Sequence, residues 1–263
     1  MQSRESLRLP VPDPTFEIGE IMKIQIYSDL HNEFAPFEPP ITDADIVVLA
    51  GDIDVQARGV KWANETFNCP VIYVCGNHEF YKGHLDHTLH KMREAAAPHV
   101  HVLENQFWIC NQTRFLVTTA WTDFSSTGDV VAASMMCGQW MNDFQVIRAE
   151  ERFRRLLPAD VIERNHEAFD FLVGELARSF EGKTVVITHH CPVSEAAGEK
   201  HDGHLSAAYS NRWHSLLPMV DVWIFGHTHR AIDIEMGDCR LISNPRGYPR
   251  EETGFISDFT IEI

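Results

Sequence analysis

Five short stretches of this chain crowd carboxylates, imidazoles and one amide together: Ser28-Asp29-Leu30-His31, Gly51-Asp52, Gly76-Asn77-His78-Glu79, His189-His190 and Gly226-His227-Thr228-His229. Oxygen and imidazole donors without a thiolate suit Mn²⁺, Fe or Zn²⁺. Two adjacent ions need a shared anion, and Asp52, with two carboxylate oxygens, is the natural bridge. Imidazoles and the Asn77 amide oxygen can complete both shells. Such a pair lowers the pKa of bound water from 15.7 to about 7 and, at a spacing of roughly 3.5–4 Å, clamps the oxygens of a phosphoryl group. The ions outweigh the charge of Asp29, Asp52 and one hydroxide, so the pocket stays locally positive and suits an anionic substrate.

The elements that must position these residues can be read from the apolar runs before them. Ile24 to Tyr27, Ile46 to Ala50, Val71 to Cys75, Thr184 to Thr188 and Val222 to Phe225 read as buried strands, each running into one of the five polar stretches. Helical periodicity over 55–67, 83–97, 160–180 and 206–217 gives an α/β alternation. In an open α/β sheet the carboxyl ends of the strands border one crevice, which lets ligands distant in sequence converge. The glycines at 51, 76 and 226 allow a sharp exit from each strand. Phe107 to Cys110, Arg114 to Thr119, Ile232 to Met236, Arg240 to Ser243 and Phe259 to Ile263 read as further strands, so a mixed sheet or a second sheet is expected. Residues 122–158 read as an irregular insertion.

Composition narrows the function. With 22 Lys+Arg against 38 Asp+Glu the formal charge is -16, which repels a nucleic-acid backbone and makes nucleic acid a poor partner. A small phosphorylated substrate is the expected partner. The six scattered cysteines form no C-x-x-C pair and read as reduced core residues, placing the chain in the cytoplasm. No stretch approaches the ~20 apolar residues of a membrane span, and Arg4, Glu5 and Arg8 stand where a signal peptide would turn apolar. Residues 1–21 are expected to be an extension ahead of one domain over 22–263, with Met22 as a candidate natural start.

The ordered series D-x-H, G-D, G-N-H-E, T-H-H and G-H-T-H, at 29–31, 51–52, 76–79, 188–190 and 226–229, resembles the calcineurin-like metallophosphoesterase family. S-D-L-H-N-E, G-N-H-E-F-Y and S-N-P-R-G-Y-P further resemble its small single-domain bacterial members. The resemblance implies a four-layer α/β/β/α sandwich with two mixed sheets. It implies a phosphoesterase acting on a mono-, di-ester or pyrophosphate by attack of a dimetal-bound hydroxide, the ions most naturally Mn or Fe, with Zn an option. It assigns Asp29, His31, Asp52 and His229 to one ion and Asp52, Asn77, His189 and His227 to the other. His78 would be the general acid, with Asn77 fixing the backbone beside it. A scaffold that keeps the fold without turnover would show lost ligands or a replaced His78, and neither is seen.

Other polar residues have plainer readings. His190 is expected to point away from the ions, and Glu79 is left outside the site as a helix-start or surface carboxylate. Asp54, two positions after Asp52 where many relatives have a polar residue at three, receives no catalytic role. His84, His87 and His90 are spaced by three, which drifts around a 3.6-residue turn and fits a solvated face. His201 and His204 are assigned to a mobile loop. Trp121, Trp140 and Phe144 flank the insertion as packing residues or a lid, and Asn244 has a structural role before Pro245.

Overall fold

A computed structural model of the chain describes residues 21–198 and 203–263. Residues 1–20 of the expected extension, and His201, lie outside the described residues. The elements in order are β1 (Lys23–Tyr27), β2 (Ile46–Ala50), α1 (Arg58–Thr66), β3 (Val71–Val74), α2 (Leu85–Ala95), β4 (Val100–Val102), β5 (Gln106–Cys110), β6 (Thr113–Thr118), α3 (Val130–Trp140), α4 (Asp143–Val146), β7 (Arg148–Ala149), β8 (Arg154–Arg155), α5 (Pro158–Leu176), β9 (Lys183–Thr188), α6 (Ser194–Ala197), β10 (Val222–Phe225), β11 (Ile232–Met236), β12 (Cys239–Ser243) and β13 (Thr260–Glu262).

Period-2 alternation along the buried strands explains how they stack. One sheet runs β13-β1-β2-β3-β4, parallel except for β13; the other runs β11-β12-β10-β9-β6-β5, with β11 and β5 antiparallel at its edges. Ile24, Ile26, Val48, Ile72 and Val74 of the first sheet face Phe115, Val117, Val185, Ile187 and Ile224 of the second in one shared core. The intervening residues turn outward. Tyr27, Val47, Leu49 and Tyr73 pack with Val60, Ala63 and Met92 of α1 and α2, while Leu116, Val186 and Trp223 pack with Ala168 and Leu172 of α5. Three cores therefore separate four layers, α/β/β/α with two mixed sheets. Each fully buried Val, Leu or Ile contributes about 1.5–3 kcal/mol to holding them together.

Two expectations fail locally. Residues 206–217 form no α-helix; they carry 3-10 turns at Gly203–Ala208 and Leu217–Met219, because Asn211 and Trp213 bond back to the chain at Cys191 and Pro192 instead of continuing a helix. The insertion is also more regular than expected. It holds α3, α4 and the β7–β8 hairpin. α3 is apolar nearly all round, with Val131, Met135 and Trp140 exposed, so it shows no amphipathic stripe that sequence patterning could detect. Among the described residues, no helix is long and apolar enough to cross a membrane.

Candidate metal centre

The five polar stretches meet at the carboxyl ends of β1, β2, β3, β9 and β10, bordering a cleft of about 350 Å³ whose lining includes Asp52, Asn77, His78, His227 and His229. The backbone makes sharp exits from the strands there. Asp29, His31, Asp52, His227 and His229 have φ of 49°, 47°, 54°, 68° and 49°, the left-handed region that costs an L-residue roughly 1–2 kcal/mol. Long-range bonds hold them in it. Asp29 and His31 donate their N–H groups to the carbonyls of Gly51 and Asp52 at 2.9 and 3.0 Å. The His227 N–H donates to Asp29 Oδ1 at 2.9 Å and the His78 N–H to Asp52 Oδ1 at 2.8 Å. Gly76 has a steric necessity, since a Cβ there would collide with Asp52 Oδ1.

The predicted ligands fall into two groups of three, each offering ligand atoms within 4.8 Å of one another: Asp29, His31 and His229, and Asp52, His189 and His227. In the first, His31 Nε2 lies 3.1 Å from His229 Nε2, which is 3.4 Å from Asp29 Oδ1. His31 Nε2 is also 3.9 Å from Asp52 Oδ2, so Asp52 reaches both groups. In the second, His189 Nε2 lies 3.5 Å from Asp52 Oδ1 and 3.2 Å from Asn77 Oδ1. His189 Nδ1 donates to the Ala50 carbonyl at 2.9 Å, leaving its Nε2 lone pair directed at these oxygens. His227 Nε2 is buried with no hydrogen-bond partner among the described residues. An orphaned imidazole nitrogen beside a carboxylate and a second imidazole is the donor set a divalent ion would satisfy, so the residues fit such an ion.

A third group, His31, Glu33 and His78, has a different chemistry. Glu33 Oε1 already accepts from His78 Nδ1 at 2.7 Å and from His31 Nδ1 at 3.1 Å. It orients two rings. Burial alone would raise the Glu33 carboxyl, but these two bonds hold it down at about 2. Burial likewise works against a charged His78, yet the Asp52 and Glu33 carboxylates raise it to about 9. His78 Nε2 faces the cleft, 3.9 Å from Asp52 Oδ2 and 3.3 Å from the Tyr248 hydroxyl.

Several supporting residues were not legible beforehand. Glu79 is fully buried rather than on the surface: it accepts from the N–H groups of Asp52, Ile53 and Gly76 at 2.9, 2.8 and 2.6 Å and from the Tyr73 hydroxyl at 2.8 Å. It thus clamps the turn carrying Asp52 to the turn carrying Asn77. Glu251 accepts from His229 Nδ1 at 2.6 Å and from the Tyr248 N–H at 3.0 Å. Glu33 and Tyr248 lay within matched motifs, but a motif reports presence and not the partner.

The remaining histidines separate. His190 Nδ1 bonds the Thr119 carbonyl at 3.1 Å, and the ring packs 4.2 Å from that of His227. His84 is not part of a solvated face. It is buried, its Nδ1 accepts from the Asp86 N–H to cap α2, and its Nε2 meets the Glu150 carbonyl, whereas His87 and His90 are exposed. His204 lies in the 3-10 turn, 3.0 Å from the Thr127 hydroxyl. Asp54 pairs with Arg58 at 3.0 Å, and Asn244 ties the Ile26 carbonyl to residue Ile256. Trp121 and Phe144 are buried, while Trp140, 68% exposed, stands at the cleft wall.

The chain belongs to the calcineurin-like phosphoesterase superfamily, whose domain model matches residues 22–251. Membership makes it a metal-dependent phosphoesterase, a hydrolase. In sequence it is 22% identical over 204 residues to an uncharacterized protein of Acanthamoeba polyphaga mimivirus, covering 70% of each chain. In structure it is similar to the phosphopantetheinyl hydrolase of Mycobacterium tuberculosis, with a TM-score of 0.67 and 16% identity over 89% of this chain and 92% of that one. At that identity the likeness speaks of the fold alone.

Proposed function

We propose that the protein hydrolyses a small phosphate ester or pyrophosphate with two divalent ions, Mn or Fe before Zn. Asp29, His31, Asp52 and His229 would hold one ion, and Asp52, Asn77, His189 and His227 the other. The observation that carries this reading is the pair of ligand groups that meet at Asp52, with an orphaned His227 nitrogen in the second. When bound, the ions supply a nucleophilic water near neutral pH and neutralise charge on the phosphoryl oxygens. The chain's own residues do the rest. Glu33 accepts the Nδ1 proton of His78 in a hydrogen bond and, together with Asp52, keeps the ring doubly protonated, so Nε2 also carries a proton toward the cleft and delivers it to the departing alkoxide, leaving a neutral imidazole. Residues 22–263 form the catalytic domain and 1–21 an extension. The six cysteines, all unpaired, support the cytoplasm, and the acidic charge supports a small substrate over nucleic acid.

The test is leaving-group dependence. Mn²⁺-loaded protein should turn over bis-p-nitrophenyl phosphate or p-nitrophenyl phosphate; two bound ions with neither substrate hydrolysed would sink the reading. In His78→Ala, kcat should fall about 10²–10⁴-fold for an alkyl phosphate ester and far less for a p-nitrophenyl ester, which leaves unprotonated. Equal losses with both ions retained would remove His78 as the acid.

A further inference from the structure

We infer that Asp143, at the start of α4 in the 122–158 insertion, is a positioning residue that decides which end of the Asn77 amide faces the second ion; this rests on Asn77 being a ligand, as proposed above. The oxygen and nitrogen of a carboxamide have nearly the same shape. Packing cannot choose between them, and only hydrogen bonding can. Here Asn77 Nδ2 donates to Asp143 Oδ1 at 3.0 Å, and the same oxygen accepts from the Tyr81 hydroxyl at 2.7 Å. Asn77 Oδ1 thereby turns to the opposite side, 3.2 Å from His189 Nε2 and toward the orphaned His227 nitrogen's group.

A carboxylate receiving two donors on one oxygen is an acceptor. It attracts the amide NH₂ and repels the amide oxygen. A rotation of Asn77 by half a turn would set two oxygens against each other and aim an NH₂, which has no lone pair to give, at the cation. Asp143 is 4% exposed and walls the same cleft as Asn77, so water cannot readily substitute for it. Tyr81 stiffens the arrangement, since its ring also stacks on His78 at 4.1 Å. The insertion thus supplies the residue that gauges a ligand carried by the loop after β3.

The experiment is a calorimetric Mn²⁺ titration of four proteins: wild type, Asp143→Asn, Asn77→Asp, and the double variant. Wild type should bind two ions per chain; fewer would sink the dinuclear reading itself and this inference with it. With two bound in wild type, Asp143→Asn should weaken one ion by about 10–100-fold, the range for loss of a partner that orients a ligand. In the Asn77→Asp background both side-chain oxygens are alike and there is no orientation to set. There Asp143→Asn should cost nothing and should strengthen binding, because it relieves two adjacent carboxylates and restores the hydrogen bond with donor and acceptor exchanged. Equal weakening in both backgrounds would make Asp143 a mere packing residue and overturn the inference, as would an unchanged second ion in Asp143→Asn. Should that single variant fail to fold, the double variant decides: two ions bound supports the inference, and anything less, unfolding included, overturns it.

Discussion

The two candidate ligand groups support their imidazoles differently. Asp29, His31 and His229 all sit in the left-handed region, at φ of 49°, 47° and 49°, and their imidazoles lean on carboxylates, His31 on Glu33 and His229 on Glu251. In the other group, Asp52 and His227 share that backbone at φ of 54° and 68° while Asn77 has an ordinary φ of -73°, so the difference lies in what backs the imidazoles. His189 leans on a backbone carbonyl and His227 is packed between the rings of His190 at 4.2 Å and Tyr209 at 4.7 Å. For the two histidines of Gly226-His227-Thr228-His229 the consequences for charge are opposite, while His189, against its burial, is raised to about 10 by Asp52. Burial alone would lower His229, but Asp29 and Glu251 raise it; His227 is pushed well down by burial and by its His190 and His189 neighbours. A carboxylate behind an imidazole makes it a more basic ligand and adds negative charge near the cation. The first group should therefore hold its ion more tightly, and the second should depend more on packing.

The largest expected effect comes from the residue common to both halves. Asp52→Asn replaces a shared anion by a neutral amide, and several kcal/mol of charge stabilisation should go with it, at least about 10³-fold in turnover, together with both ions. Two ions per chain by elemental analysis, with near-normal kcat, would show that the halves do not meet at Asp52.

Next in size is the separation of neighbours. His229→Ala should empty mainly the tighter site and His227→Ala mainly the weaker one, although only Thr228 lies between them. A crystal structure with both imidazoles on one ion would refute the split. If the carboxylates make the difference, Glu251→Gln should weaken the tighter ion by about 10–100-fold and leave the other alone. Loss of the weaker ion instead would reverse the comparison. His190→Ala should be milder, about 10-fold on the weaker ion, since it removes ring support and no charge. A full loss of that ion would instead make His190 a ligand.

The smallest effect is on stability. Ions that bind only the folded chain stabilise it by about 2.7 kcal/mol each at a hundred times Kd, so chelation should lower Tm by roughly 5–10 °C per ion for a domain of this size. A Tm indifferent to chelator would mean that these groups bind no ion in solution.

The sequence by itself determined the layers and the types of the candidate ligands. Alternating apolar residues such as Ile24, Ile26 and Val48 against Tyr27, Val47 and Leu49 write two buried faces directly into the chain, and the residue that follows a strand is local information. The tertiary structure decided everything that depends on a distant partner. Asn77 and Asp143 are 66 residues apart, His78 and Glu33 45, and Asp52 and Glu79 27. No periodicity encodes such pairs, because a hydrogen bond to a buried carboxylate constrains two positions in space and leaves the residues between them unconstrained. The left-handed backbone at Asp29, His31 and Asp52 is likewise imposed from outside, by bonds between loops, against the intrinsic preference of those residues. Local patterns chose which groups reach the strand tips; long-range hydrogen bonds chose which atom of each group faces the cleft.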